Sequence, residues 1–158
     1  MVFKKRKLGR KITDLQVGDQ HEMKAKVEDK DLLLYLGLTS DSNPLYIQHD
    51  YAAQTPFKRP LVPSVMLYGM VSSMVSLHLP GPGSHIVKES MSYPKPVYHY
   101  AEIHLEMTIT NIDETGHCVT IDIKGTDEEN DTVILGKLEV CPPYKLESLT
   151  AKSLENFN

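Results

Sequence analysis

The chain has 158 residues, which favours one domain and leaves ample material for a core. Apolar residues make up 41% and charged residues 24%, the balance of a globular rather than a disordered chain. A net charge of −4 excludes polyanion binding by bulk field, and two cysteines, Cys118 and Cys141, are too few for a disulfide framework.

Residues 1–13 carry Lys4, Lys5, Arg6, Lys7, Arg10 and Lys11 with no apolar stretch behind them. A secretory leader needs such a stretch, so the expectation is a solvated basic tail on a cytoplasmic protein whose thiols are reduced. No aromatic residue is interleaved with these charges, and nucleic acid is not expected as a partner. Residues 20–27 (QHEMKAKV) suit a short strand. Asp29 to Leu38 is leucine-rich with acidic residues at its start, which suits a helix N-terminus, and Gly37 suits its stop. Thr39 to Asn43 (TSDSN) is turn chemistry, since Ser, Asp and Asn side chains bond nearby backbone, and Pro44 sets the exit. A short helix is predicted from about Asp50 to Gln54.

Residues 55–63 (TPFKRPLVP) hold three prolines, which excludes regular helix or central strand and leaves an extended loop. Pro63 then leads into an apolar segment, residues 64–79, read as a helix with proline just before its first turn. Val65, Met66, Leu67, Met70, Val71, Met74, Val75, Leu77 and Leu79 cover most of its faces, so the expectation is burial. The segment is shorter than the ~20 residues of a bilayer span and contains serines and a histidine, so no membrane span is expected. It stops at Leu79-Pro80-Gly81-Pro82-Gly83.

The second half changes period. Ile103, Leu105, Met107 and Ile109 alternate with Glu102, His104, Glu106 and Thr108, the pattern of a strand with one buried face. Val119, Ile121 and Ile123 repeat it, Thr132 to Val140 gives a third strand, and His85 to Tyr93 a strand before them. Turns at 113–116 and 127–131 suit antiparallel hairpins. After Pro143 the sequence is polar, and residues 144–158 read as a loosely held tail. There is no internal repeat. The architecture is therefore α+β, a single domain with one long apolar helix and an antiparallel meander. A curved sheet wrapped around a central helix, the hot-dog arrangement, meets that pattern; so does a flat sheet with the helix on one face.

The segment from Ser40 to Ser72 reads SDSNPLYIQHDYAAQTPFKRPLVPSVMLYGMVS. It resembles the hydratase motif of MaoC-like and (R)-specific enoyl-CoA hydratases: Asp-x-Asn-Pro-Leu-His, a short helix with Tyr-Ala-Ala, then Phe-x-Arg-Pro-Ile-Val-His-Gly-Met-Leu. LPGPGSHIVKESMSYPKPVY is similar to the family's Leu-Pro-Gly-x-Gly-Ser strand and its Pro-Val continuation, and Asp14 to Asp19 to its opening. The resemblance covers most of residues 14–142. It implies a hot-dog fold, hydration of a trans-2-enoyl thioester, an acyl-CoA ligand, a homodimer, and no metal or organic cofactor.

Carried over residue by residue, the resemblance implies Asp41 at the position of the catalytic Asp, Asn43 and Pro44 at the motif turn, and Ser72 as the serine that hydrogen-bonds the Asp. The histidine position is Tyr46, the His-Gly at the helix start is Pro63-Ser64, and the Gly-Asp after the Pro-Val strand is Tyr100-Ala101. A phenol donates a proton at neutral pH but is a poor base. Asp41 would then act as base, with Tyr46 as acid or water-orienting group; the bland alternative is that Tyr46 packs over the vacated site. Pro63 has no N–H, which leaves the Ser64 backbone N–H as the oxyanion donor at a positive helix end. Asn43, Pro63, Met66 and Met70 are the candidate substrate-binding residues, with Met74 beside them, although such methionines also serve as adaptable core. His49 reads as a surface or capping residue, and His85, His99 and His104 as structural members of strands without metal-like pairing. Two other readings stay open: a non-catalytic acyl-CoA-binding protein or subunit paired with a catalytic hot-dog chain, and an acyl-CoA thioesterase.

Overall fold

The computed structural model describes residues 7–146, and the alternation of the second half becomes a five-stranded antiparallel sheet. Its strands are β1 (Gln20–Lys26), β2 (His85–Ser92), β3 (Glu102–Asp113), β4 (Cys118–Thr126) and β5 (Thr132–Cys141), in the order β1-β3-β4-β5-β2. The register places Ile109 opposite Ile121 and Met107 opposite Ile123. It also places Val119 opposite Val140 and Ile121 opposite Leu138. Side chains alternate across a strand, so this pairing lays Ile103, Leu105, Met107, Ile109, Val119, Ile121, Ile123, Leu138 and Val140 on one face. That face is fully buried: Ile103, Leu105, Ile109, Ile121 and Leu138 expose none of their surface. Each such burial is worth ~1.5–3 kcal/mol relative to exposure.

Four helices precede or lie within this frame: α1 (Asp29–Thr39), α2 (Pro44–Ile47), α3 (His49–Ala53) and α4 (Ser64–Leu77). A capping box starts α1, with the Glu28 N–H donating to Asp31 Oδ2 at 2.9 Å. The α2 turn was not expected as helix; Asn43 caps it and Pro44 fills its first position. Leu67, Val71, Met74 and Val75 of α4 join the sheet residues in one core, the hot-dog arrangement. The helix is not buried all round, however. Val65 and Leu77 stay 60% and 61% exposed, because one sheet covers only the α4 face that carries positions 67, 71, 74 and 75.

The basic N-terminal segment is less tail-like than its composition suggests. Gly9 N–H donates to Pro82 O at 2.7 Å, Arg10 N–H to Pro80 O at 2.8 Å, and Ile12 is buried. A Cβ at Gly9 would overlap Pro80 O, so the close approach requires glycine. The chain is thus anchored from Gly9 onward, and residues 1–6 lie outside the described residues. At the other end Tyr144 stacks on His117 with ring centroids 3.8 Å apart, and residues 147–158 lie outside the described residues. No helix among the described residues is long and apolar enough to cross a membrane.

Candidate active site

The site begins where α1 reverses. Ser40 is left-handed at φ 57°, and its N–H still donates to Leu36 O at 2.8 Å as the chain turns back. Thr39 Oγ1 donates to Tyr35 O at 2.8 Å and accepts the Asp41 N–H at 3.2 Å. The reversal sets Asp41 against the last turn of α1, where Tyr35 Oη donates to Asp41 Oδ2 at 2.7 Å. That bond to the carboxylate is the main cause that raises the Tyr35 phenol above its ordinary value; partial burial and the charge of Asp41 add to it, against an opposing Thr39 hydroxyl.

Asn43 Oδ1 accepts the Leu45 N–H at 3.0 Å, the turn that aims α2. Tyr46 N–H donates to Asn43 O at 2.9 Å, which holds Tyr46 in the turn that follows Asp41. The three-proline segment is a turn in its first half, where Lys58 is left-handed at φ 69° and its N–H donates to Thr55 O at 3.1 Å, and is extended only over its last residues. Leu61 N–H donates to Leu45 O at 2.9 Å and Val62 N–H to Val97 O at 2.8 Å, so that end lies between α2 and the loop at Val97 and Tyr98, with an isolated bridge from Leu61 to Tyr98. Pro63 is buried and is the N-cap of α4; its carbonyl accepts the Met66 N–H at 3.0 Å. The Ser64 N–H makes no hydrogen bond among the described residues, leaving a free donor at a positive helix end.

Ser72 is half-buried on α4 and does not bond Asp41; the hydroxyl on that carboxylate comes from Tyr35. Sequence reasoning missed Tyr35, whose approach to Asp41 depends on the left-handed Ser40. Met66 and Met70 pack partly buried against the core, whereas Met74 is 1% exposed and belongs to the core itself. His49 is exposed at the first position of α3. His99 lies in a turn rather than a strand, its Nε2 3.2 Å from Leu61 O and its Nδ1 3.5 Å from Asp29 Oδ1.

Two adjoining grooves, of about 460 and 220 Å³, share Arg59, Tyr98, His99 and Tyr100, and neither is lined by Asp41, Tyr46 or Ser64. The Arg59 guanidinium sits 4.0 Å over the Tyr98 ring. Tyr100, standing at a glycine position of the motif, keeps a left-handed backbone at φ 66°. Across β1 and β3 the register brings Glu22, His104 and Glu106 together, with His104 Nε2 3.3 Å from Glu22 Oε2. The strand pattern alone hid this cross-strand group.

Residues 13–132 match the model of the MaoC-like domain. The chain belongs to the MaoC-like domain family. It is 29% identical over 107 residues to the (R)-specific enoyl-CoA hydratase of Aeromonas caviae, covering 68% of this chain and 80% of that protein. It is 28% identical over 99 residues to the (R)-specific enoyl-CoA hydratase of Rhodospirillum rubrum, covering 63% of this chain and 69% of that protein. Among solved structures, the (R)-hydratase of A. caviae superposes with a TM-score of 0.78 at 26% identity, covering 82% of this chain and 98% of that one. The R-hydratase of Pseudomonas aeruginosa in unliganded form gives 0.79 at 22% identity over 90% and 94% of the two chains, a likeness of fold.

Proposed function

We propose that this MaoC-like chain is a hydro-lyase that adds water to a trans-2-enoyl-CoA or a related acyl thioester. The observation that carries the reading is the Asp41 carboxylate, presented by the α1 reversal in the turn before Tyr46, in a chain whose relatives are named enoyl-CoA hydratases. In this reading Asp41 takes a proton from water and the water oxygen bonds to C3. The C2=C3 π electrons move toward the thioester carbonyl, whose oxygen the Ser64 N–H stabilises. Tyr46 supplies the proton to C2, and the Asp41 proton then returns to the phenolate. Asn43 and Pro63 shape the turn and the helix entrance, and Met66 and Met70 face the acyl chain. No cofactor is needed.

Exposed Val65 and Leu77 on α4, with Val87 on the edge strand β2, favour a homodimer, since edge strands and apolar helix faces are ordinarily covered. A second reading rests on Tyr46 and Ser64 themselves. A chain without the imidazole suits a non-catalytic acyl-CoA-binding protein or the silent subunit of a heteromeric hydratase.

The test follows loss of enoyl-thioester absorbance with short trans-2-enoyl-CoAs. Turnover by the native chain that vanishes in Asp41→Ala supports the hydratase. Binding of the acyl-CoA without turnover supports the second reading instead.

A further inference from the structure

We infer that Tyr35 is a positioning residue of this site, holding Asp41 through its phenol in place of a serine from the central helix; this rests on the hydratase reading. The geometry is specific. Tyr35 Oη reaches Asp41 Oδ2 at 2.7 Å, the length of a charge-assisted bond, and Oδ1 has no partner among the described residues. Six residues separate the two, and the left-handed Ser40 is what folds one back onto the other. The Thr39 hydroxyl bridges the same turn, bonded to Tyr35 O and to the Asp41 N–H, so backbone and side chain are held together. A carboxylate fixed at one oxygen has lost its rotation about χ2, leaving Oδ1 in one orientation for a water. The Tyr35 phenol is also raised above its ordinary value, so it stays a donor throughout the neutral range. Ser72 makes no such bond among the described residues, which leaves Tyr35 as the group that orients Asp41.

The decisive variant is Tyr35→Phe, which keeps the ring and removes only the hydroxyl. The expected result is a kcat lowered roughly tenfold to a hundredfold, the range for losing a hydrogen bond to a charged group, with KM changed less than about twofold. An unchanged kcat in a variant that melts like the native chain overturns the proposal. A second measurement reads the bond without any turnover. The chain has no tryptophan, so phenolate absorbance reports its 8 tyrosines cleanly. The difference titration between native chain and Tyr35→Phe should show one late-titrating tyrosine lost, and Asp41→Asn should make that tyrosine titrate earlier. An identical tyrosine titration in Asp41→Asn overturns the proposal even if Tyr35→Phe misfolds. A native chain inert toward enoyl-CoAs defeats the hydratase reading and Tyr35's catalytic purpose with it, while the shifted titration would still establish the Tyr35–Asp41 coupling.

Discussion

Lys95 Nζ lies 2.8 Å from Asp127 Oδ2, so the segment after β2 pins the turn between β4 and β5. Asp127 Oδ1 meanwhile accepts the Glu129 and Asp131 N–H groups, both at 3.0 Å. Burial alone would push the Asp127 carboxyl up, but the Lys95 ammonium and those two N–H groups outweigh it and hold the carboxyl below its ordinary value. A depressed carboxyl contributes stability that is present above the unfolded value near ~3.9 and is lost as pH falls through the folded value. The expected outcome is that Asp127→Asn lowers stability at neutral pH by about 1 kcal/mol and flattens the acid limb of the unfolding midpoint below about pH 4. Chemical denaturation across that range checks it; parallel curves for the two proteins would remove Asp127 as the cause.

His21 on β1 stacks on His78 at the end of α4, with ring centroids 4.2 Å apart and planes 16° from parallel. Burial, then the His78 ring, lower the His21 imidazole below its ordinary value, with Glu22 opposing. A depressed imidazole favours the folded state above the unfolded value near ~6.5 and gives up that stability as pH falls through it toward the folded value. Stability should therefore decline from pH ~7 to ~5, and His21→Phe should show a shallower decline, because the phenyl ring keeps the stack without a charge. Thermal melts at a series of pH values provide the comparison, and an equally steep decline in the variant would count against the pair.

Gly125 on β4 faces the core at a point where two side chains already meet. A Cβ there would lie 2.9 Å from Ile134 Cβ and 3.0 Å from Leu105 Cδ2. Ile134 is opposite Gly125 on β5 and Leu105 opposite it on β3, so the central strand yields its volume to both neighbours. Gly125→Ala should cost ~1–3 kcal/mol by overpacking. Pairing it with Leu105→Val should recover part of that loss, a non-additive result visible in urea unfolding.

The sheet was legible because period 2 is a direct consequence of a one-sided buried strand, and Ile103 to Ile109 obey it without a break. The bounds of α4 were legible for a similar reason: Pro63 and the Pro80-Gly81 pair leave little freedom. Its exposure was not, since an apolar face looks the same in sequence whether it meets the chain's own sheet or stays open, as Val65 and Leu77 do. The N-terminal anchor escaped notice because Gly9 and Arg10 are held by backbone bonds that side-chain composition does not reveal. In the candidate site, the proposed residues Asp41, Tyr46 and Ser64 come from one contiguous motif. Tyr35 sits one helical turn and a reversal away, and its role depends on the left-handed Ser40 that no side-chain pattern specifies. The Glu22, His104 and Glu106 group needed the register of two strands far apart in the chain.

Tyr46 itself offers the sharpest test of how far the site has departed from an imidazole chemistry. A phenol can donate a proton but is a weak base at neutral pH, so the proposed mechanism leaves Asp41 alone to activate water. Restoring imidazole by Tyr46→His should raise kcat by ~10²–10⁴, the usual worth of a positioned acid–base group. The variant should also acquire an acid limb near pH ~6.5 that the native chain lacks, because the new ring must be neutral to accept a proton. Tyr46→Phe separates donation from packing, since it fills the same space and cannot donate. If Tyr46 supplies the C2 proton, Tyr46→Phe loses most of the native turnover while melting near the native temperature. If the Phe variant keeps full turnover, the phenol only packs there and the C2 proton comes from elsewhere. A native chain without turnover that becomes active as Tyr46→His would mark a hydratase scaffold retired to binding, with the Asp41 turn and the Ser64 N–H still in working order.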